Sequence, residues 1–180
     1  LARNGPVELA GELRFAFGRL LGRDELAHEV HLGTLAPGMW VDKTVEGRVL
    51  SRDGFATYGL RVLLPPHTEL VGLSFGEIVS ASEVELDGVT VARFGKLATN
   101  ADEAVLLHHP FLLEHVVHDD AFDLIVRVSN YDHDYPGFTA LRIGRAQDLH
   151  RTRDLALMLA MVAVGGMMLF SAANDFLTMF

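Results

Sequence analysis

Apolar and polar positions alternate in short runs over most of the chain, with turn signals between them. Glu12 to Phe17 places Leu13, Phe15 and Phe17 on one face, the period of a half-buried strand. Gly22 to Glu29 predicts a short helix with Asp24 as its N-cap. Pro37-Gly38 predicts a turn ahead of Met39-Trp40. Phe55 to Leu64 reads as a long strand stopped by Pro65-Pro66, and Leu70 to Phe75 as another. Ser82 to Leu86 and Val89 to Phe94 flank Asp87-Gly88, a strong hairpin signal. Phe122 to Val128 is almost continuously apolar, as a central strand should be, and Thr139 to Ile143 reads as the last strand, closed by Gly144. About eight short strands and little helix predict an antiparallel β-sandwich over residues 1–145. Periodicity alone leaves a jelly roll and an immunoglobulin-like sandwich both open.

The pattern changes at the end. Residues 146–154 are polar, compatible with helix, and predict a juxtamembrane segment. From Leu155 to Asn174 there are twenty residues and no charge. As a helix they would extend about 30 Å, the thickness of a bilayer's hydrocarbon core. Gly165-Gly166 also suits a membrane helix better than a soluble one. The expectation is a transmembrane helix over 155–174, the first of several in a longer protein, with 175–180 a truncated end. A buried C-terminal helix is the competing reading. Arg142, Arg145, Arg151 and Arg153 precede the span, so the positive-inside rule alone would place the sandwich in the cytoplasm.

Composition narrows the function classes. The chain has 180 residues and a net charge of −9, from 24 acidic and 15 basic residues. It contains no Lys/Arg run, so no nucleic-acid partner is expected. It contains no cysteine, which excludes disulfides, thiol catalysis and thiolate metal sites. Gly-x-Ser-x-Gly, P-loop and His-Glu-x-x-His patterns are absent, so neither an enzyme nor a cofactor is expected.

Two clusters are candidate sites. His108, His109, His115 and His118, followed by Asp119 and Asp120, offer imidazoles and carboxylates for Zn²⁺ or Ni²⁺. Their spacing matches no standard ligand set, and a solvated loop and edge strand is the alternative. If 111–117 is a strand, His115 and His118 point to opposite faces. The second cluster is Asn130, Tyr131, Asp132, His133, Asp134 and Tyr135, running to Pro136-Gly137 between the last two strands. Carboxylates facing sugar hydroxyls, with tyrosine as a stacking surface, would suit a carbohydrate. A hydrophilic turn shaped by Asn130 is the alternative. Trp40 either closes an end of the core or offers a flat face to a sugar ring.

An ordered series of motifs adds a resemblance. Leu9-Ala-Gly-Glu-Leu-Arg-Phe15, Gly18-Arg-Leu-Leu21, Pro37-Gly-Met-Trp40 and Gly54-Phe-Ala-Thr-Tyr58 come first. Leu60-Arg-Val62, Asp87-Gly88, Gly95, Val128-Ser-Asn130, Gly137 and Ile143-Gly144 complete it. The series resembles the extracellular domain of bacterial seven-transmembrane receptors with diverse intracellular signalling modules. It departs from that pattern at Leu13, where such domains usually have Trp, and in the Asp- and Tyr-rich loop 130–137. The resemblance implies a galactose-binding-like jelly-roll β-sandwich followed by a C-terminal transmembrane α-helix. It implies a sensor domain in the periplasm, held at the bacterial inner membrane, that binds a small molecule such as a carbohydrate and signals to an output domain elsewhere. A protein-interaction or homodimerisation module, or the carbohydrate-binding domain of a membrane-anchored glycosidase, are the rivals.

Overall fold

The computed structural model describes residues 5–76, 78, 80–107 and 111–178, with the side chains of the last helix described to residue 165 and at 167 and 168. Two antiparallel sheets pack face to face. The strands are β1 (Val7–Glu8), β2 (Leu13–Phe17), β3 (Gly33–Leu35), β4 (Gly38–Met39), β5 (Thr44–Val45), β6 (Arg48–Val49) and β7 (Gly54–Leu63). They continue with β8 (Leu70–Phe75), β9 (Ala81–Leu86), β10 (Val89–Phe94), β11 (Phe111–Val116), β12 (Ala121–Asn130), β13 (Gly137–Phe138) and β14 (Leu141–Gly144). The helices are α1 (Arg23–His28) and α2 (Ala146–Thr178). One sheet runs β1-β14-β8-β11 and the other β10-β9-β12-β7-β2-β3, while β13-β4 and β5-β6 form small ribbons.

Strand alternation builds the core. On β7, Ala56, Tyr58 and Val62 face inward; on β12, Phe122, Leu124, Val126 and Val128 do the same. They meet Val71, Leu73 and Phe75 of β8 and Leu141 and Ile143 of β14. β12 lies between β7 and β9, and its outer face is also covered, by Leu21 and Leu26 packing near Ile125. Burial on both faces is why its sequence reads as a nearly unbroken apolar run. The ring of Tyr58 sits 4.8 Å from Phe15 and 4.9 Å from Phe138. Its hydroxyl is buried with no hydrogen-bond partner among the described residues, and burial pushes the phenol pKa up. An unpaired buried hydroxyl is costly, so Tyr58→Phe is expected to be neutral or to stabilise by about 1 kcal/mol. Urea denaturation checks this, and a loss of more than that would reveal a hidden partner.

The hairpin signal holds: Asp87 and Gly88 take φ of 48° and 84°, joining β9 to β10 in the positive-φ turn that strand twist favours. Two local expectations do not. Asp24 is not the N-cap of α1. Gly22 occupies that position, its N–H bonded to the Glu25 carboxylate at 2.8 Å, and Asp24 lies inside the first turn. Residues 37–39 do more than turn, because β4 pairs with β13. That pairing needs Gly137, with φ of 120° and an added Cβ only 2.2 Å from the Gly38 carbonyl oxygen.

Residues 146–154 and the apolar stretch form one continuous helix, α2. Its base is docked: Ala146 and Leu149 are buried, and His150 Nε2 lies 3.2 Å from Glu114 Oε1 of β11. Beyond it Leu155, Leu157, Met158, Leu159, Met161, Val162, Val164, Met167 and Met168 are exposed. Among the described residues no helix is long and apolar enough to cross a membrane. The span expected at 155–174 is therefore not supported. Side chains along it are described from Leu155 to Gly165 and at Met167 and Met168. The buried-helix alternative fails as well over that stretch, because these side chains lie in the open.

Candidate ligand-binding site

The site is built where β12 ends. Asn130 is the last residue of β12, fully buried, opposite Gly54 at the start of β7. Its side-chain amide organises the adjoining loop. Nδ2 donates to the carbonyls of His133 at 2.8 Å and Arg52 at 3.3 Å, and Oδ1 accepts from the His133 N–H at 3.3 Å and lies 3.4 Å from the Ser80 hydroxyl. Asn130 thus shapes the loop and has no surface to offer a ligand. Asn130→Ala would leave buried backbone groups unpaired, with an expected cost of about 1–3 kcal/mol. Thermal unfolding measures the cost. Faster amide exchange at residues 131–135 would show that the loop has lost its shape.

Trp40 supports the same loop from below. Its exposure is 0%. The indole N–H donates to the Ser51 carbonyl at 3.0 Å, its backbone N–H donates to the Pro136 carbonyl at 3.1 Å, and its ring meets Phe17 edge-on at 5.9 Å. Of its two expected roles it fills the first, closing an end of the core, and no face is available to a sugar ring.

The remaining loop residues reach solvent. Asp132, Asp134 and Tyr135 are exposed, and Tyr131 and His133 are half-buried. Arg52 bridges Asp53 at 2.9 Å and Asp134 at 3.0 Å. The rings of His133 and Tyr135 lie 5.5 Å apart, and the Tyr135 N–H donates to His133 Nδ1 at 3.2 Å. Burial, and then the Asp53 charge, push the Tyr131 phenol up, so it remains a neutral O–H donor. Beside it Ala101, Ala104, Val105, Leu106, Tyr131 and Asp132 line an open recess of about 530 Å³. Three carboxylates against one guanidinium make this end of the sandwich a region that accepts hydrogen bonds and repels anions.

Sequence reasoning did not find Arg52, Asp53 or the 101–106 segment. Arg52 and Asp134 are 82 positions apart, and only the β7–β12 pairing brings them together. Of the histidine cluster, His115 and His118 are described. His115 Nε2 lies 3.2 Å from Asp87 Oδ2 and its ring packs 5.1 Å from Phe122, while His118 is exposed in the bend after β11. Among the described residues no group of three or more His, Asp or Glu side chains can hold a metal ion. His108 and His109 lie outside the described residues.

No described protein family matches the chain, and no curated protein does. Solved structures do. A GH2 β-galacturonidase from Eisenbergiella tayi with bound glycerol superposes at a TM-score of 0.56 and 16% identity, over 78% of this chain and 24% of that one. The fold is a galactose-binding-like β-sandwich. A β-glucuronidase from an uncultured Clostridium gives 0.55 at 15% identity, over 79% of this chain and 29% of that one. Ruminococcus gnavus β-glucuronidase gives 0.53 at 13%, over 77% and 28%. The chain spans about a quarter of the length of these enzymes. At such identities the likeness concerns the sandwich alone. It supports the fold implied by the receptor resemblance and carries no information on receptor membership.

Proposed function

We propose that the sandwich is a ligand-sensing head of a bacterial transmembrane receptor, facing the periplasm and binding a neutral polyhydroxylated small molecule of the carbohydrate class. The end loop carries this reading. Its shape is held by Asn130 and Trp40, and it presents Asp132, Asp134 and Tyr135 beside the recess at Tyr131. Carboxylates that accept from hydroxyls, with an exposed aromatic face, are the chemistry a sugar needs. Helix α2, docked at its base and apolar beyond Asp154, supports attachment to a membrane and a route for the signal. Ligand binding would act through α2 only by a difference in affinity between two arrangements of the head.

The test uses the full chain in non-ionic detergent, with thermal unfolding followed against neutral mono- and disaccharides. One class should raise the melting temperature, as any ligand of the folded state does. The rise should vanish in Tyr135→Ala/Asp134→Asn. A flat response across the panel overturns ligand sensing, and failure of the detergent-free chain to float with liposomes overturns the membrane part.

A second reading, the sugar-binding domain of a larger membrane-anchored glycosidase, is favoured by the likeness to the galacturonidase and glucuronidases. The gene downstream of Phe180 separates the two: further apolar spans for a receptor, a large catalytic domain for the enzyme.

A further inference from the structure

The outer face of the six-stranded sheet holds a second recess, of about 440 Å³, lined by Arg14, Arg23 and Arg61. Strand register assembles it. Arg14 of β2 lies opposite Gly59 of β7, Gly59 opposite Ile125 of β12, and Arg61 opposite Asp123. Alternation sends Phe15, Tyr58 and Phe122 into the core and therefore turns Arg14, Arg61 and Asp123 outward. Helix α1 forms the roof. Leu26 descends onto Gly59, where an added Cβ would lie 2.0 Å from Leu26 Cδ2, so a glycine in mid-strand is what permits the approach. From the same helix Arg23 reaches Asp123, with Nε 2.8 Å from Oδ2.

The guanidinium groups are held in place but not saturated. Arg61 Nη1 donates to both Asp123 oxygens, at 3.0 and 3.3 Å, and Arg14 Nη2 donates to the Leu26 carbonyl at 2.6 Å. Each guanidinium has five donors, and Arg14 Nε and Nη1, Arg23 Nη1 and Arg61 Nε and Nη2 have no partner among the described residues. Three arginines face two carboxylates, Asp24 and Asp123, in the lining. Asp87, next to Asp123, already accepts the Asp123 N–H at 2.9 Å and lies against His115. With Asp87 acting on Arg23 as well, three arginines meet three carboxylates, and what the recess offers an anion is its open guanidinium donors.

We infer that this arginine-lined recess binds the carboxylate of a small organic acid of about monosaccharide size. Arginine forks match a planar carboxylate in geometry. Asp123, shared by Arg23 and Arg61, is an internal instance of that pairing. A recess whose arginines and carboxylates balance takes a single negative charge at less cost than a phosphate dianion, and the volume falls in the range of small-molecule sites. This inference is independent of the end loop and survives if the neutral-sugar reading fails.

The test is titration calorimetry of the full chain in non-ionic detergent at low salt, with D-gluconate, its neutral match sorbitol, and inorganic phosphate. Gluconate should bind saturably, sorbitol should not, and phosphate should bind more weakly. Arg61→Gln, whose side chain is 63% exposed and so dispensable for folding, should weaken gluconate by about tenfold or more. Arg142→Gln, the same charge change on the other sheet, should leave it unaltered. No gluconate binding, equal binding of sorbitol, tighter binding of phosphate, or full affinity in Arg61→Gln would each overturn the assignment.

Discussion

Replacing Arg127 with methionine is expected to cost about 3–5 kcal/mol, the usual penalty for leaving a buried charge without its partner. Arg127 lies on the outer face of β12, directly opposite Glu83 of β9. Its Nη2 bonds Glu83 at 2.6 Å and Glu85 at 2.7 Å, and Nη1 reaches the Leu21 carbonyl at 3.3 Å. The side chains of Arg127 and Glu85 are only 14% and 8% exposed, so water cannot take over. Burial alone would raise the Glu83 pKa, but Arg93 and Arg127 outweigh it and the carboxyl sits below its ordinary value. Its contribution to stability is therefore present above the ordinary carboxylate range and is lost as pH falls through the lowered value. In Arg127→Met that acid-side slope should flatten. With a slope of about 2 kcal/mol per molar, the urea midpoint should drop by about 2 M. Arg127→Met/Glu85→Met should recover most of the loss, since apolar replacement of a whole buried pair is often neutral. A midpoint shift below about 0.5 M in the single variant would mean that the network is far more hydrated than its burial implies.

Trp40→Ala should be comparably severe, about 3–5 kcal/mol, because a fully buried indole is removed and the surrounding core cannot collapse onto the space. The loss should spread to the end loop, since the Trp40 N–H holds Pro136 and the indole holds Ser51. Trp40→Phe should fall between, keeping ring volume but leaving the Ser51 carbonyl without its donor. Because Trp40 is the chain's single tryptophan, fluorescence gives a direct check. Its emission should be blue-shifted and poorly quenched by acrylamide in the folded protein. Red emission with easy quenching would mean an exposed ring and would restore the sugar-stacking role.

Elements whose physics is local were legible. The alternation along β2, the length of β7, the double burial of β12 and the Asp87-Gly88 hairpin depend on a few neighbouring residues, and all appear in the fold. The N-cap of α1 was misread because Asp and Gly are both good caps, and the Glu25 carboxylate selected Gly22. Asn130 stands among the candidate ligand groups with turn shaping as its alternative, and its main bonds, to His133, span only three positions and belong to the turn. Closeness in sequence groups the histidines, while strand geometry sets His115 against Asp87, 28 residues away. The arginine recess gave no signal at all, since it joins β2, α1, β7 and β12.

Periodicity and composition are properties of adjacent residues. They are enough to specify an antiparallel sandwich without disulfides or thiolate sites, and a long apolar segment after it. Which side chains are free to act is a matter of tertiary packing. Packing closed Trp40 and Asn130 into the frame, set Arg52 against Asp134, and gathered Arg14, Arg23 and Arg61 around one recess. These outcomes depend on strand register and sheet order. Both are set by the burial of the whole core at once, and no local stretch of chain records them.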